Sequence, residues 1–91
     1  MDNRVFRAMA DPTRRRILEL LRRGELSAGE IGRHFSASQP TISRHLAVLR
    51  DAGLIRDERR GTHVVYRLNT TVLQEWLAWL LERFGEERPR P

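Results

Sequence analysis

Two stretches of this chain carry side chains suited to recognition: Ser38-Gln39-Pro40-Thr41-Ile42-Ser43-Arg44-His45 and Arg59-Arg60-Gly61-Thr62-His63. Both combine small hydroxyls or an amide with guanidinium and imidazole groups. Gln can pair with the edge of adenine, Arg with guanine, and Ser or Thr with a base or a phosphate. No nucleophile stands with an oriented base, and no glycine-rich phosphate loop is present, so no catalytic residue is expected. The sequence has no cysteine, which excludes disulfides, thiolate metal sites, iron–sulfur clusters and cysteine nucleophiles together.

Charge points the same way. The 17 basic residues, all arginine, outnumber 12 acids for a net +5. A basic surplus in a small domain favours a polyanion, and arginine favours planar, two-pronged phosphate or guanine contacts. No apolar run is long enough to span a bilayer. No apolar region follows Met1-Asp2-Asn3-Arg4 that could act as a signal peptide, so a cytoplasmic location without membrane insertion is expected. Ninety-one residues suffice for one small core, hence a single domain over 1–91, with 86–91 a frayed tail.

The elements that must position these groups follow from periodicity. Asn3–Ala10 reads as a short helix with Val5, Phe6 and Met9 on one side. Asp11 caps a second helix with Pro12 at its first position and Ile17, Leu18, Leu20 and Leu21 inward, ending before Gly24. Ser27-Ala28-Gly29-Glu30 has capping-box spacing and opens a third helix through His34, with Ile31 and Phe35 inward. After the turn Phe35-Ser36-Ala37, Ser38 opens a fourth that runs to Ala52 and is closed by Gly53. On it Ile42, Leu46 and Leu49 share one side with His45 at the margin, while Pro40, Arg44, Ala47 and Asp51 lie opposite. Alternation then predicts strands Leu54–Arg59 and Thr62–Leu68 around Arg60-Gly61, a hairpin with a basic tip. Asn69 is placed to cap a last helix, Thr70–Phe84, stopped by Gly85. Its apolar residues, Val72, Leu73, Trp76, Leu77, Trp79, Leu80, Leu81 and Phe84, cover more than one face. A second chain is implied.

This layout, mainly α with a small β-hairpin, is that of a winged helix-turn-helix: four helices, two strands, one helix. The candidate contacts to double-stranded DNA are Ser38, Gln39, Thr41, Ser43, Arg44, His45, Arg59, Arg60, Thr62 and His63. His45 is equally placed to be a packing histidine. Val5, Phe6, Met9, Val72, Trp76, Trp79, Leu80 and Phe84 are the candidate dimer interface.

Asp11–Leu18, Ser38–Leu54 and the wing Gly61–Leu68 resemble the ArsR/SmtB-type winged-helix repressors, a likeness running from about Val5 to Phe84. Leu68-Asn69-Thr70-Thr71-Val72-Leu73-Gln74 is most similar to the SdpR-like autorepressors within that family. The resemblance implies a bacterial homodimer, paired through its first and last helices and bound to an imperfect inverted repeat. Metal-sensing members carry a cysteine motif on the third helix, where this chain has Leu26-Ser27-Ala28-Gly29-Glu30, or His and Asp ligands on the last helix, which here holds neither. The remaining pairs, Glu30/His34 and Glu82/Glu86, are too sparse for a metal site, so no metal or other cofactor is expected. Two alternatives stay open: a metal- or ligand-responsive sensor on this scaffold, and a winged-helix protein-interaction module. Release from DNA by a small ligand or a sequestering protein is open as well.

Overall fold

The computed structural model describes residues 3–86. Met1, Asp2 and the tail from Glu87 to Pro91 lie outside the described residues. The element order is α1 (Asn3–Met9), α2 (Pro12–Arg22), β1 (Leu26–Ser27), α3 (Ala28–Gly32), α4 (Gln39–Asp51), β2 (Ile55–Arg60), β3 (His63–Leu68) and α5 (Thr70–Phe84). This is a winged helix-turn-helix with one strand more than the sequence pattern predicts.

Local chemistry sets the helix starts. Asp11 is extended, and its carboxylate accepts from the Arg14 N–H at 3.0 Å ahead of Pro12. Ser27 and Glu30 close a reciprocal capping box: the Glu30 N–H donates to Ser27 Oγ at 3.1 Å and the Ser27 N–H to Glu30 Oε1 at 2.9 Å. Ser38 Oγ accepts from the Thr41 N–H at 3.4 Å. Each cap satisfies an N–H that the first helical turn leaves without a partner.

Four details differ from expectation. α3 stops at Gly32, short of His34, because the His34 and Phe35 N–H groups close tight turns onto Ile31 and Gly32 instead. Leu26-Ser27 pairs with Tyr66 and Val65, so the hairpin is part of a sheet ordered β1-β3-β2. The hairpin ladder runs from Ile55↔Leu68 to Arg60↔His63. Its loop is therefore Gly61-Thr62, one residue later than expected, with Gly61 at φ +61° in the first loop position, where a type II′ turn needs glycine. Finally, Asn69 stands at the start of α5 but makes no side-chain cap; its N–H donates to Leu54 O at 2.9 Å.

The core gathers Val5 and Ala8 of α1, Ile17, Leu18 and Leu21 of α2, Ile31 of α3, Ile42, Leu46 and Leu49 of α4, then Leu54 and Ile55. α4 is thereby fixed along one full side, leaving the opposite side free. α5 contributes no buried residue. Its Val72, Leu73 and Trp76 lie against the core as partly buried residues, and the radius of gyration is 15.3 Å, against about 12 Å for a compact chain of this length.

Candidate nucleic-acid interface

The exposed side of α4 starts from its cap. Ser38 Oγ lies 3.0 Å from Thr41 Oγ1, so these two hydroxyls are engaged with each other and with the helix start. Gln39 is exposed, but its Nε2 donates to Ala28 O at 3.2 Å. A Cβ on Gly32 would sit 2.5 Å from Gln39 Oε1, so the amide lies directly over that glycine. Gln39 thus bridges the two helices of the helix-turn-helix. Ser43 and Arg44 are exposed on the next turn. No carboxylate partners Arg44 among the described residues.

His45 does not face outward with them. Its Nδ1 lies 3.3 Å from Arg14 Nη1 and 3.8 Å from Asp11 Oδ2. The Arg14 guanidinium therefore lies between the start of α2 and the His45 ring of α4. The same guanidinium donates from Nε to Ala8 O at 2.9 Å and from Nη2 to Arg7 O at 2.6 Å, while Arg15 donates to Met9 O at 2.7 Å. Arg14 therefore closes the carbonyl end of α1 and touches α4. The structure places His45 in this packing node and not among the outward residues. At Asp11 burial raises the carboxyl pKa, but the Arg14 N–H, the charges of His45 and Arg14, and the Thr13 N–H outweigh it and leave it below 3.8.

The wing divides its residues by face. Directly paired residues of an antiparallel ladder point to the same side, and successive ones alternate. Ile55↔Leu68, Asp57↔Tyr66 and Arg59↔Val64 share the core side; Arg56↔Arg67, Glu58↔Val65 and Arg60↔His63 share the outer side. Asp57 reaches α4, its Oδ2 accepting from Arg50 Nη1 at 3.3 Å, so Arg59 lies on the side of the wing that meets α4. Arg59 has no acidic partner among the described residues. Arg60 grips Glu25 with both Nη atoms, Nη2 at 3.0 Å, and gives a further bond to Glu58 at 3.1 Å. Hydrogen bonds to Glu25 first, then Glu58, raise its pKa. The sequence treats Arg59 and Arg60 as one basic tip; the structure separates them. Thr62 and His63 are exposed at the loop. Glu25 was invisible to sequence reasoning, since a partner 35 residues away leaves no local signal.

The expected dimer residues also divide. Val5 is 3% exposed and belongs to the chain's own core, because it lies on the side of α1 that packs onto α2 and α4; it is not surface. Phe6 meets Trp76 and Trp79 edge-to-face at 5.9 and 5.4 Å. Met9, Val72, Trp76, Trp79 and Leu80 are half-buried, and Leu77, Leu81 and Phe84 are 52%, 60% and 76% exposed. Trp76 Nε1 is buried without a hydrogen-bond partner among the described residues. Glu30 is committed to its cap, whose hydrogen bonds from Ser27 lower its pKa. No three of His, Asp and Glu converge in a metal-like group among the described residues, and none of the described helices is long and apolar enough to cross a membrane.

Comparison with known proteins agrees with this geometry. The family model "Bacterial regulatory protein, arsR family" matches residues 11–57. The chain is 52% identical over 79 residues to the transcriptional repressor SdpR of Bacillus subtilis, covering 87% of this chain and 88% of that protein. It is 47% identical over 79 residues to the arsenic resistance transcriptional regulator ArsR1 of Pseudomonas putida, covering 86% of this chain and 61% of the other. Among solved structures, a possible transcriptional regulator for arsenical resistance superposes with a TM-score of 0.79 at 38% identity, over 89% of this chain and 83% of that one. An ArsR-like transcriptional regulator from Rhodococcus sp. RHA1 superposes with a TM-score of 0.82 at 34% identity, over 91% and 75%.

Proposed function

The chain belongs to the ArsR family of bacterial regulatory proteins and is a DNA-binding transcriptional repressor, not an enzyme, and we propose that it acts as a homodimer on an inverted-repeat operator, its own promoter included. Ser43 and Arg44 read base edges in the major groove, with Thr41 beside them. Ser38 and Gln39 hold the start of α4 at its working angle. Arg59, Thr62 and His63 hold flanking backbone or minor groove. The observation that carries this reading is Arg44: an exposed guanidinium with no acidic partner among the described residues, on a helix locked from behind by Ile42, Leu46 and Leu49. The dimer pairs α1 and α5 with their copies, closing over Leu77, Leu81 and Phe84.

Arsenic resistance appears in the names of several relatives, such as the Pseudomonas putida regulator, yet this chain has no cysteine to offer a soft ion. Its repression is accordingly proposed to be indifferent to metals. The test is recovery of genomic fragments bound by the protein at a stated salt concentration. Enrichment of fragments sharing an inverted repeat, the gene's own promoter among them, supports the reading. Recovery of DNA without any shared sequence contradicts it.

A further inference from the structure

We propose that Arg60 is a positioning residue of the wing and not a ligand of DNA: through Glu25 it straps the outer face of the sheet to the loop between α2 and β1, fixing the pose from which Arg59 and Thr62 meet DNA. The inference rests on the wing being a DNA-facing element, as proposed above.

The topology explains why a strap is useful. β1 covers β3 only at Val65 and Tyr66, so the rungs Arg59↔Val64 and Arg60↔His63 form a two-stranded overhang. Such a ribbon is marginally stable alone and twists strongly. Arg60 ends β2, the far edge of the sheet, whereas Glu25 immediately precedes β1, the opposite edge. Their bidentate contact crosses the central strand diagonally, from the two-stranded tip of β2 back to the start of β1, where Glu25 falls one residue before the Leu26↔Tyr66 pair.

The contacts around Arg60 itself oppose a phosphate. Arg60 shares Glu58 with Arg67, whose Nη2 lies 3.9 Å from Glu58 Oε2. Arg56, beside Arg67 on the same face, has no carboxylate partner among the described residues, but Glu25 and Glu58 already occupy the Arg60 donors that a phosphate would need. Arg59, one residue earlier and on the opposite face, has no such competitor among the described residues. A planar guanidinium satisfied at two prongs by one carboxylate is geometrically specific in a way a lone surface pair is not.

The experiment uses the full chain and a duplex selected by the wild-type protein from a random-sequence pool. Affinity is measured against salt for Glu25→Ala, Arg60→Ala, the double variant and Arg59→Ala, with melting temperatures alongside. Removing an acid beside a DNA-binding face should by charge alone tighten binding; the strap predicts that Glu25→Ala weakens it, by about threefold to tenfold. Arg60→Ala should weaken it equally, the double variant should be no worse than either single, and all three should keep the wild-type log–log salt slope. Arg59→Ala should reduce the magnitude of that slope by about 1 for each phosphate it no longer neutralises. Tighter binding by Glu25→Ala, or a reduced slope for Arg60→Ala, overturns the proposal and makes Arg60 a DNA ligand. An unchanged affinity and slope for Arg59→Ala counts instead against the wing as a DNA-facing element.

Discussion

Arg44 and Arg59, like Arg22, Arg23 and Arg56, have no carboxylate partner among the described residues, but Arg44 and Arg59 stand on α4 and on the side of the wing that meets it. Arg14 and Arg15 close the end of α1, Arg16 pairs with Glu19, Arg50 with Asp57, and Arg60 with Glu25. A guanidinium without a carboxylate is available to another anion, and on α4 it also stands where base edges are met. Arg44→Ala should therefore cost about 1–3 kcal/mol on the operator and relax preference at one position per half-site, read from isotherms on operator and scrambled duplex. Asp11 is needed for stability. Its loss as the cap of α2 in Asp11→Ala should cost about 1 kcal/mol, seen in thermal unfolding. Because its pKa in the fold lies below the ordinary 3.8, that stabilisation is fully present above the ordinary value and is lost as pH falls through the folded one. An acid titration of stability should show this loss below about pH 4 in the wild type and its absence in Asp11→Ala.

α4 was legible in the sequence from end to end because its signals are local: Ser38 before Pro40, the stripe Ile42, Leu46 and Leu49, and Gly53 at φ +78°. Gly53→Ala tests that reading of the helix stop, and should destabilise the fold by about 1–2 kcal/mol through the left-handed backbone it must keep. The space would not object, since the nearest atom to an added Cβ is Val72 Cγ2 at 3.6 Å. β1 escaped notice because two residues give no period, and Ser27 already reads as a helix cap. The division of Arg59 from Arg60 was hidden for a related reason. Alternation was plain, but which face meets α4 is settled by Asp57 and Arg50, a contact between elements. Asn69 stands at the N-cap of α5 without a side-chain bond, its ψ of 90° short of the 130°, 162° and 156° at the capping residues Asp11, Ser27 and Ser38. Val5 fell on the core side of α1 because that side of the helix packs onto α2 and α4. For α5 the expectation of an uncovered apolar face agrees with exposed Leu77, Leu81 and Phe84. Replacing Leu81 with Asp should leave a folded chain that sediments as a monomer and binds operator at least tenfold more weakly, since the body of the domain does not depend on that side chain.

As a whole the chain is elongated, 60 × 25 × 23 Å, and α5 adds no fully buried residue to its body. The proposed two-fold partner would restore compactness and set two α4 helices on one side of the assembly. Sedimentation at micromolar concentration should give about 21 kDa, twice the 10.7 kDa chain, as for a closed two-fold pair. Stoichiometric zinc or nickel, or a chelator, should change operator affinity by less than about threefold, below the usual range of allosteric coupling. A tenfold loss would point to an acidic or histidine site outside those weighed. Base reading by α4 and two-fold assembly meet in one measurement: selection of bound duplexes from a random-sequence pool by wild-type protein and by Arg44→Ala. Wild type should enrich an inverted repeat with half-sites about 10 base pairs apart, or a multiple of it, and Arg44→Ala should lose information at the same position in both halves. No enriched sequence, an asymmetric single site, or a repeat that Arg44→Ala leaves unchanged would contradict the account.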